Sequence, residues 1–136
     1  MKDRINRENK SEPDMAGKAK FRFEDLEIWR KSVEVGIKLL DIADEVEKKR
    51  LFRFADQIRG AALSMSNNIA EGSGSRSRKE FNQFLNIARR STFENANMLF
   101  ILQKRDLISI EQKEYLLVEL DTICRMISGF QKTLRG

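Results

Sequence analysis

The chain reads as an all-α protein, an antiparallel up-down-up-down four-helix bundle behind a disordered N-terminal arm. Three observations carry this expectation. Apolar residues recur every three to four positions from Phe21 onward, Pro13 is the only proline, and no alternating stretch or Asn-Gly or Asp-Gly hairpin turn occurs. With no proline after position 13, no later helix loses a backbone donor to one. A length of 136 residues suits one domain.

Residues 1–20 carry six basic and four acidic side chains and almost nothing to bury, so they read as an arm or a loosely solvated leader. Residues 21–136 supply the bundle, with helices expected at about 24–46, 50–71, 78–104 and 110–134. Ser77 with Glu80, and Ser109 with Gln112, match the capping box that opens the third and fourth helices. Gly72 and Gly74 punctuate the end of the second, where a positive φ would cost little. Short connections make consecutive helices antiparallel neighbours.

Single apolar seams run along three helices: Phe54, Ile58, Ala61, Met65 and Ile69; Phe81, Phe84, Leu85, Ala88, Leu99 and Leu102; Leu116, Leu120, Ile123, Ile127, Phe130 and Leu134. The first helix differs. Leu26, Trp29, Val33, Ile37 and Leu40 lie nearly opposite Ile28, Val35, Leu39, Ile42 and Val46, an apolar arc about twice the width a surface helix needs. Phe52, Leu63, Phe93, Phe100 and Ile101 add apolar surface on outer faces. The expectation is a homo-oligomer whose interface uses Ile28, Val35, Leu39, Ile42, Phe93 and Phe100. The competing reading is a core helix shielded by the N-terminal arm.

Composition removes much chemistry. With no histidine, Ser-His-Asp and Cys-His pairs, HExxH zinc sites and the Glu-x-x-His sets of di-iron bundles are excluded. Cys124 is the only cysteine; it cannot close an internal disulfide and fits a reducing, cytoplasmic setting as a small core residue. No apolar run approaches the roughly 18–20 residues of a membrane span, so neither a membrane, a metal nor a cofactor is expected as a partner.

The net charge is +5, unevenly spread. Residues 22–47 hold four basic and eight acidic groups, whereas 48–60 and 76–90 each hold five basic and one acidic. The candidate nucleic-acid-binding residues are Arg59, Arg76, Arg78, Lys79, Arg89 and Arg90, with Arg53 a weaker member. On the third helix the two basic pairs stand about 16 Å apart with Asn82 and Asn86 between them, a spacing that follows a phosphate backbone. The Gly72–Ser77 loop leads into this helix start, where free amides favour an anion, although the Lys-Ser/Thr of a P-loop is missing. A solvated helix face accounts for the same stripe.

Asn67 and Asn68, in mid-helix beside Ser64 and Ser66, are poor helix formers that need compensation. An interhelical polar network of Asn67, Asn68, Glu71 and Glu94, with Thr92 and Asn95, would supply it and fix register. Glu71 and Glu94 as a catalytic pair lack a second acid–base partner, so no catalytic residue is expected.

Phe23-Glu24-Asp25-Leu26-Glu27-Ile28-Trp29, Gln57-Ile58-Arg59, Ser64 through Gly72 with its Asn-Ile-Ala-Glu-Gly, and Lys79-Glu80-Phe81 with Phe84-Leu85 and Ile87-Ala88-Arg89 form a distinctive set. Over about residues 21–134 the chain resembles the four-helix-bundle proteins encoded by intervening sequences of bacterial 23S rRNA. Gly60, Arg90 and the missing proline before the second helix depart from the usual pattern. The resemblance implies a cytoplasmic bacterial protein, a pentameric ring, and kinship in fold with the accessory variability proteins of diversity-generating retroelements, which bind nucleic acid and a reverse transcriptase. The expected function is therefore a non-enzymatic, homo-oligomeric protein that binds RNA or DNA backbone. The alternative is a scaffold that docks a partner enzyme such as a reverse transcriptase.

Overall fold

A computed structural model describes residues 18–135; the remainder of the expected arm, residues 1–17, lies outside the described residues. A 3-10 turn, Arg22–Asp25, precedes α1 (Glu27–Lys48), α2 (Phe52–Ser73), α3 (Arg78–Lys104) and α4 (Ile110–Arg135). Each helix packs on the next, and α1 closes on α4 through a smaller contact, giving the expected up-down arrangement.

The first helix starts later than its periodicity predicts. Leu26 is extended (φ −92°, ψ 121°), its N–H closing the 3-10 turn on the Phe23 carbonyl at 2.9 Å. Its carbonyl then accepts the first helical bonds, from Trp29 and Arg30, both at 3.1 Å. One extended residue thus separates two kinds of helix.

The Ser half of each expected capping box forms, without a return bond to the Glu80 or Gln112 side chain among the described residues. The Ser77 and Ser109 hydroxyls accept from the Glu80 and Gln112 N–H groups at 3.1 and 3.0 Å. The ends of α1 and α3 share another device. Arg50 (φ 68°) and Asp106 (φ 58°) adopt the left-handed conformation, and the next residues, Leu51 and Leu107, donate back to Val46 and Leu102. These are Schellman closures built without glycine. The glycine expectation for α2 is corrected: Gly74 has φ −86°, and Gly72 serves packing instead. A Cβ on Gly72 would meet Phe84 Cβ at 2.7 Å and Phe81 Cδ1 at 2.9 Å, so α3 reaches α2 only because that side chain is missing.

The core is built from Val35, Leu39, Ile58, Met65, Ile69, Leu85, Leu99, Leu102, Leu116, Leu120, Ile123 and Ile127, all fully buried. This corrects the expected oligomer interface. Ile28, Val35, Leu39 and Ile42 belong to the bundle's own core and offer nothing to a second subunit. The period marks two apolar sides of α1 but not which one the other helices cover. The outward side keeps Ile37 exposed, while Trp29 and Leu40 are partly covered. Phe93 and Phe100 are exposed as expected.

Candidate nucleic-acid interface

The α2–α3 connection delivers cations to one end of the bundle. Arg76 precedes the Ser77 cap, and Arg78 and Lys79 occupy the first turn of α3; all three are exposed and make no ion pair among the described residues. About three turns further along α3 stand Arg89 and Arg90. Arg90 is exposed. Arg89 is half-buried, its Nε donating to Ser128 Oγ at 3.2 Å on α4 and its guanidinium lying 5.8 Å from the Phe93 ring centroid. Arg89 therefore faces α4, and part of its donor capacity is spent there.

Arg59 does not belong to this surface. Its guanidinium binds Glu47 at 2.7 Å, Asp44 at 2.9 Å and Asp56 at 3.3 Å, which ties α2 to α1. Hydrogen bonds to Asp44 and then Glu47 raise its pKa above the ordinary value. Three carboxylates leave no net positive field for a phosphate. Antiparallel register also places Arg59 level with Ala96, about 27 Å along α3 from Arg78.

The topology adds cations that a linear reading of the chain does not group. The bonds from Arg89 to Ser128 and from Gln131 Nε2 to Asn86 Oδ1 (2.8 Å) set the α3–α4 register, which brings Lys132 and Arg135 to the same end. Arg22 arrives from the 3-10 turn, donating to the Ser73 carbonyl at 3.5 Å with its guanidinium 5.1 Å from the Phe81 ring centroid. Lys20 stands beside it, in an exposed pair with Asp25 at 3.0 Å. At the opposite end Lys48, Lys49, Arg50, Arg53, Lys104 and Arg105 are interleaved with Asp44, Glu45, Glu47, Asp56, Asp106 and Glu111, so charge largely cancels. The signal for Lys132 and Arg135 was the bundle topology itself: the last helix of an up-down-up-down bundle ends where the third begins.

The interhelical polar network exists with the expected Asn68 and Asn95 but without Asn67, Glu71 and Glu94. Ser64 Oγ lies 2.7 Å from Ser91 Oγ, and Asn95 Nδ2 donates to the Ala61 carbonyl at 2.9 Å and to the Ser91 carbonyl at 2.8 Å. Asn68 joins through Ser64, donating to its carbonyl at 2.7 Å and its hydroxyl at 3.1 Å. Asn67, Glu71 and Glu94 are exposed and make no side-chain hydrogen bond among the described residues. Their positions on the helices turn them outward, whereas the smaller Ser64 and Ser91 fit where α2 and α3 approach. Glu94 stands level with Ala61, about 15 Å along α2 from Glu71, so these carboxylates share no site.

The sequence profile of the 23S rRNA-intervening sequence protein family matches residues 24–129. The chain belongs to that family. This intervening-sequence protein is also similar to a solved structure from Bacteroides thetaiotaomicron, a protein of unknown function from the S23 ribosomal protein family. Identity is 25% and the TM-score 0.72, covering 77% of this chain and 98% of that one. Among curated proteins nothing matches. The family match takes in the α3 cations but stops short of Lys20, Arg22, Lys132 and Arg135. No helix among the described residues of this intervening-sequence protein is long and apolar enough to cross a membrane.

Proposed function

We propose that this intervening-sequence protein is a non-enzymatic, homo-oligomeric nucleic-acid-binding protein that holds RNA or DNA backbone on the cationic end of its bundle. The observation that carries this reading is the convergence of Arg22, Arg76, Arg78, Lys79, Lys132 and Arg135 from four separate segments, where they outnumber the carboxylates of Glu24, Asp25, Glu71 and Glu80. Clustered exposed cations concentrate a polyanion and gain from counterion release. The family description, which names an intervening sequence of 23S rRNA, is consistent with an RNA partner. Repetition of the end around an oligomer, the pentameric ring that the resemblance implies, would let weak phosphate contacts act together.

The proposed subunit contact moves to the outer side of α3 and α4, where Phe93, Phe100 and Val118 are exposed. The test is titration of a labelled oligonucleotide with the full chain. Arg78→Glu with Lys79→Glu should abolish binding, and Arg59→Gln should leave it intact; the reverse pattern rejects the assignment.

A second reading, a scaffold that docks a partner enzyme such as a reverse transcriptase, is favoured by one observation. A shallow, mostly apolar groove of about 220 Å3 runs between α3 and α4, lined by Phe93, Ala96, Leu117, Leu120 and Cys124 with Thr92 and Asp121. Phe93→Asp separates the readings. It should remove a protein contact in that groove while nucleic-acid affinity per subunit persists.

A further inference from the structure

The cationic end carries an aromatic ring that the core does not use. Phe21 is 62% exposed, yet it is firmly placed. Its N–H donates to Glu24 Oε2 at 2.7 Å, and its carbonyl accepts the Glu24 N–H at 3.1 Å. One face of the ring stacks on Phe23, with centroids 5.6 Å apart and planes inclined by 17°. Phe23 in turn rests on Trp29, centroids 4.7 Å apart. The ring is thus the outermost rung of a supported aromatic ladder, with its other face turned to water.

Its neighbours include cations beside the Glu24 and Asp25 carboxylates. Lys20 and Arg22 flank it in the chain, and Arg22 is fastened to Ser73 and Phe81 at the α2–α3 connection. From Ser73 to Arg76 is at most about 11 Å of chain. A pre-placed ring beside phosphate-binding side chains is the arrangement that single strands need. Bases within a duplex are already stacked on both faces, whereas an unpaired base has a π-face to give.

We infer that this end of the bundle takes single-stranded nucleic acid, one base stacking on the outer face of Phe21 while Lys20, Arg76 and Arg78 hold the adjoining phosphates. The inference rests on the nucleic-acid reading above and adds to it the strandedness of the ligand and the residue that senses it. Stacking does not distinguish ribose from deoxyribose, so RNA and DNA strands are separate arms of the test.

The experiment is fluorescence anisotropy of the full chain with labelled single strands of about 12 nucleotides. It uses RNA and DNA, and a blunt duplex of the same sequence, at roughly 50 mM salt. Wild type should bind at least one single strand more tightly than the duplex. Phe21→Ala and Phe21→Leu should each weaken single-strand binding by roughly five- to a hundredfold, with the salt slope unchanged because no phosphate contact is lost. Phe21→Tyr, which keeps a ring, should restore affinity, and Phe52→Ala, which removes an exposed ring at the opposite end of the bundle, should change nothing. Far-UV circular dichroism checks that each variant keeps its helices.

A duplex bound as tightly as the strands, or Phe21 variants that bind like wild type, overturns the stacking inference while the cationic end stands. A protein that binds neither strand nor duplex overturns both.

Discussion

Asn95 on α3 donates its side-chain amide to the Ala61 carbonyl on α2 across 2.9 Å, and the residue is 1% exposed. With the Ser64–Ser91 hydroxyl pair it fixes the register of two helices whose remaining contact is apolar and unspecific along its length. Removing the amide leaves a void and loses two buried bonds, so Asn95→Ala should cost about 1–3 kcal/mol in urea unfolding. Asn67→Ala, at an exposed position without such bonds, should stay within about 0.5 kcal/mol of wild type. Equal effects at the two positions would contradict the placement.

Gly72 gives a second test of the α2–α3 contact. Gly72→Ala pushes a methyl into Phe81 and Phe84 and should destabilise by about 1–3 kcal/mol. Gly60 lies in the same helix with nothing within 4 Å of an added Cβ. Gly60→Ala should therefore stabilise by about 0.5–1 kcal/mol through backbone entropy. Thermal unfolding of the pair measures opposite signs if the packing is as described.

The α1–α4 seam is polar. Lys31 Nζ lies 2.6 Å from Glu119 Oε1, and both side chains are largely covered. The hydrogen bond to Glu119 raises the Lys31 pKa above its ordinary 10.5, against the lowering effect of burial. A base with a raised folded-state pKa contributes fully below its unfolded value and loses that contribution as pH rises through the folded value. A double-mutant cycle with Lys31→Met and Glu119→Gln should give a coupling of about 0.5–1 kcal/mol. It should hold steady from about pH 6 to 9 and fade only in stronger alkali. Coupling that disappears near neutrality would contradict the pair.

Much of this molecule is legible in its sequence because helices announce themselves locally. The seams of α2 and α4, the Ser77 and Ser109 caps and the exposed Phe93 and Phe100 all follow from period or short-range pattern. What escapes is long-range. Whether Ile28 and Leu39 or Trp29 and Ile37 face the core depends on where α2 and α4 sit, which the period of α1 does not encode. Arg59 looks like a free cation until Asp44 and Glu47 arrive from another helix. Lys132 and Arg135 join the cationic end only through antiparallel register. The polar network includes the expected Asn68 and Asn95, but Ser64 and Ser91 stand in it in place of the expected Asn67, Glu71 and Glu94, because small hydroxyls fit between closely packed backbones.

On the function proposed above, one end of the bundle binds nucleic-acid phosphates. The salt dependence of oligonucleotide affinity tests it most directly. For a single strand, log affinity should fall linearly with log salt, with a slope of about −0.7 for each phosphate neutralised. Arg78→Glu with Lys79→Glu should lower both affinity and slope, and Arg59→Gln should change neither. Affinity that is absent at low salt, or a slope that the charge reversals leave untouched, would contradict the account.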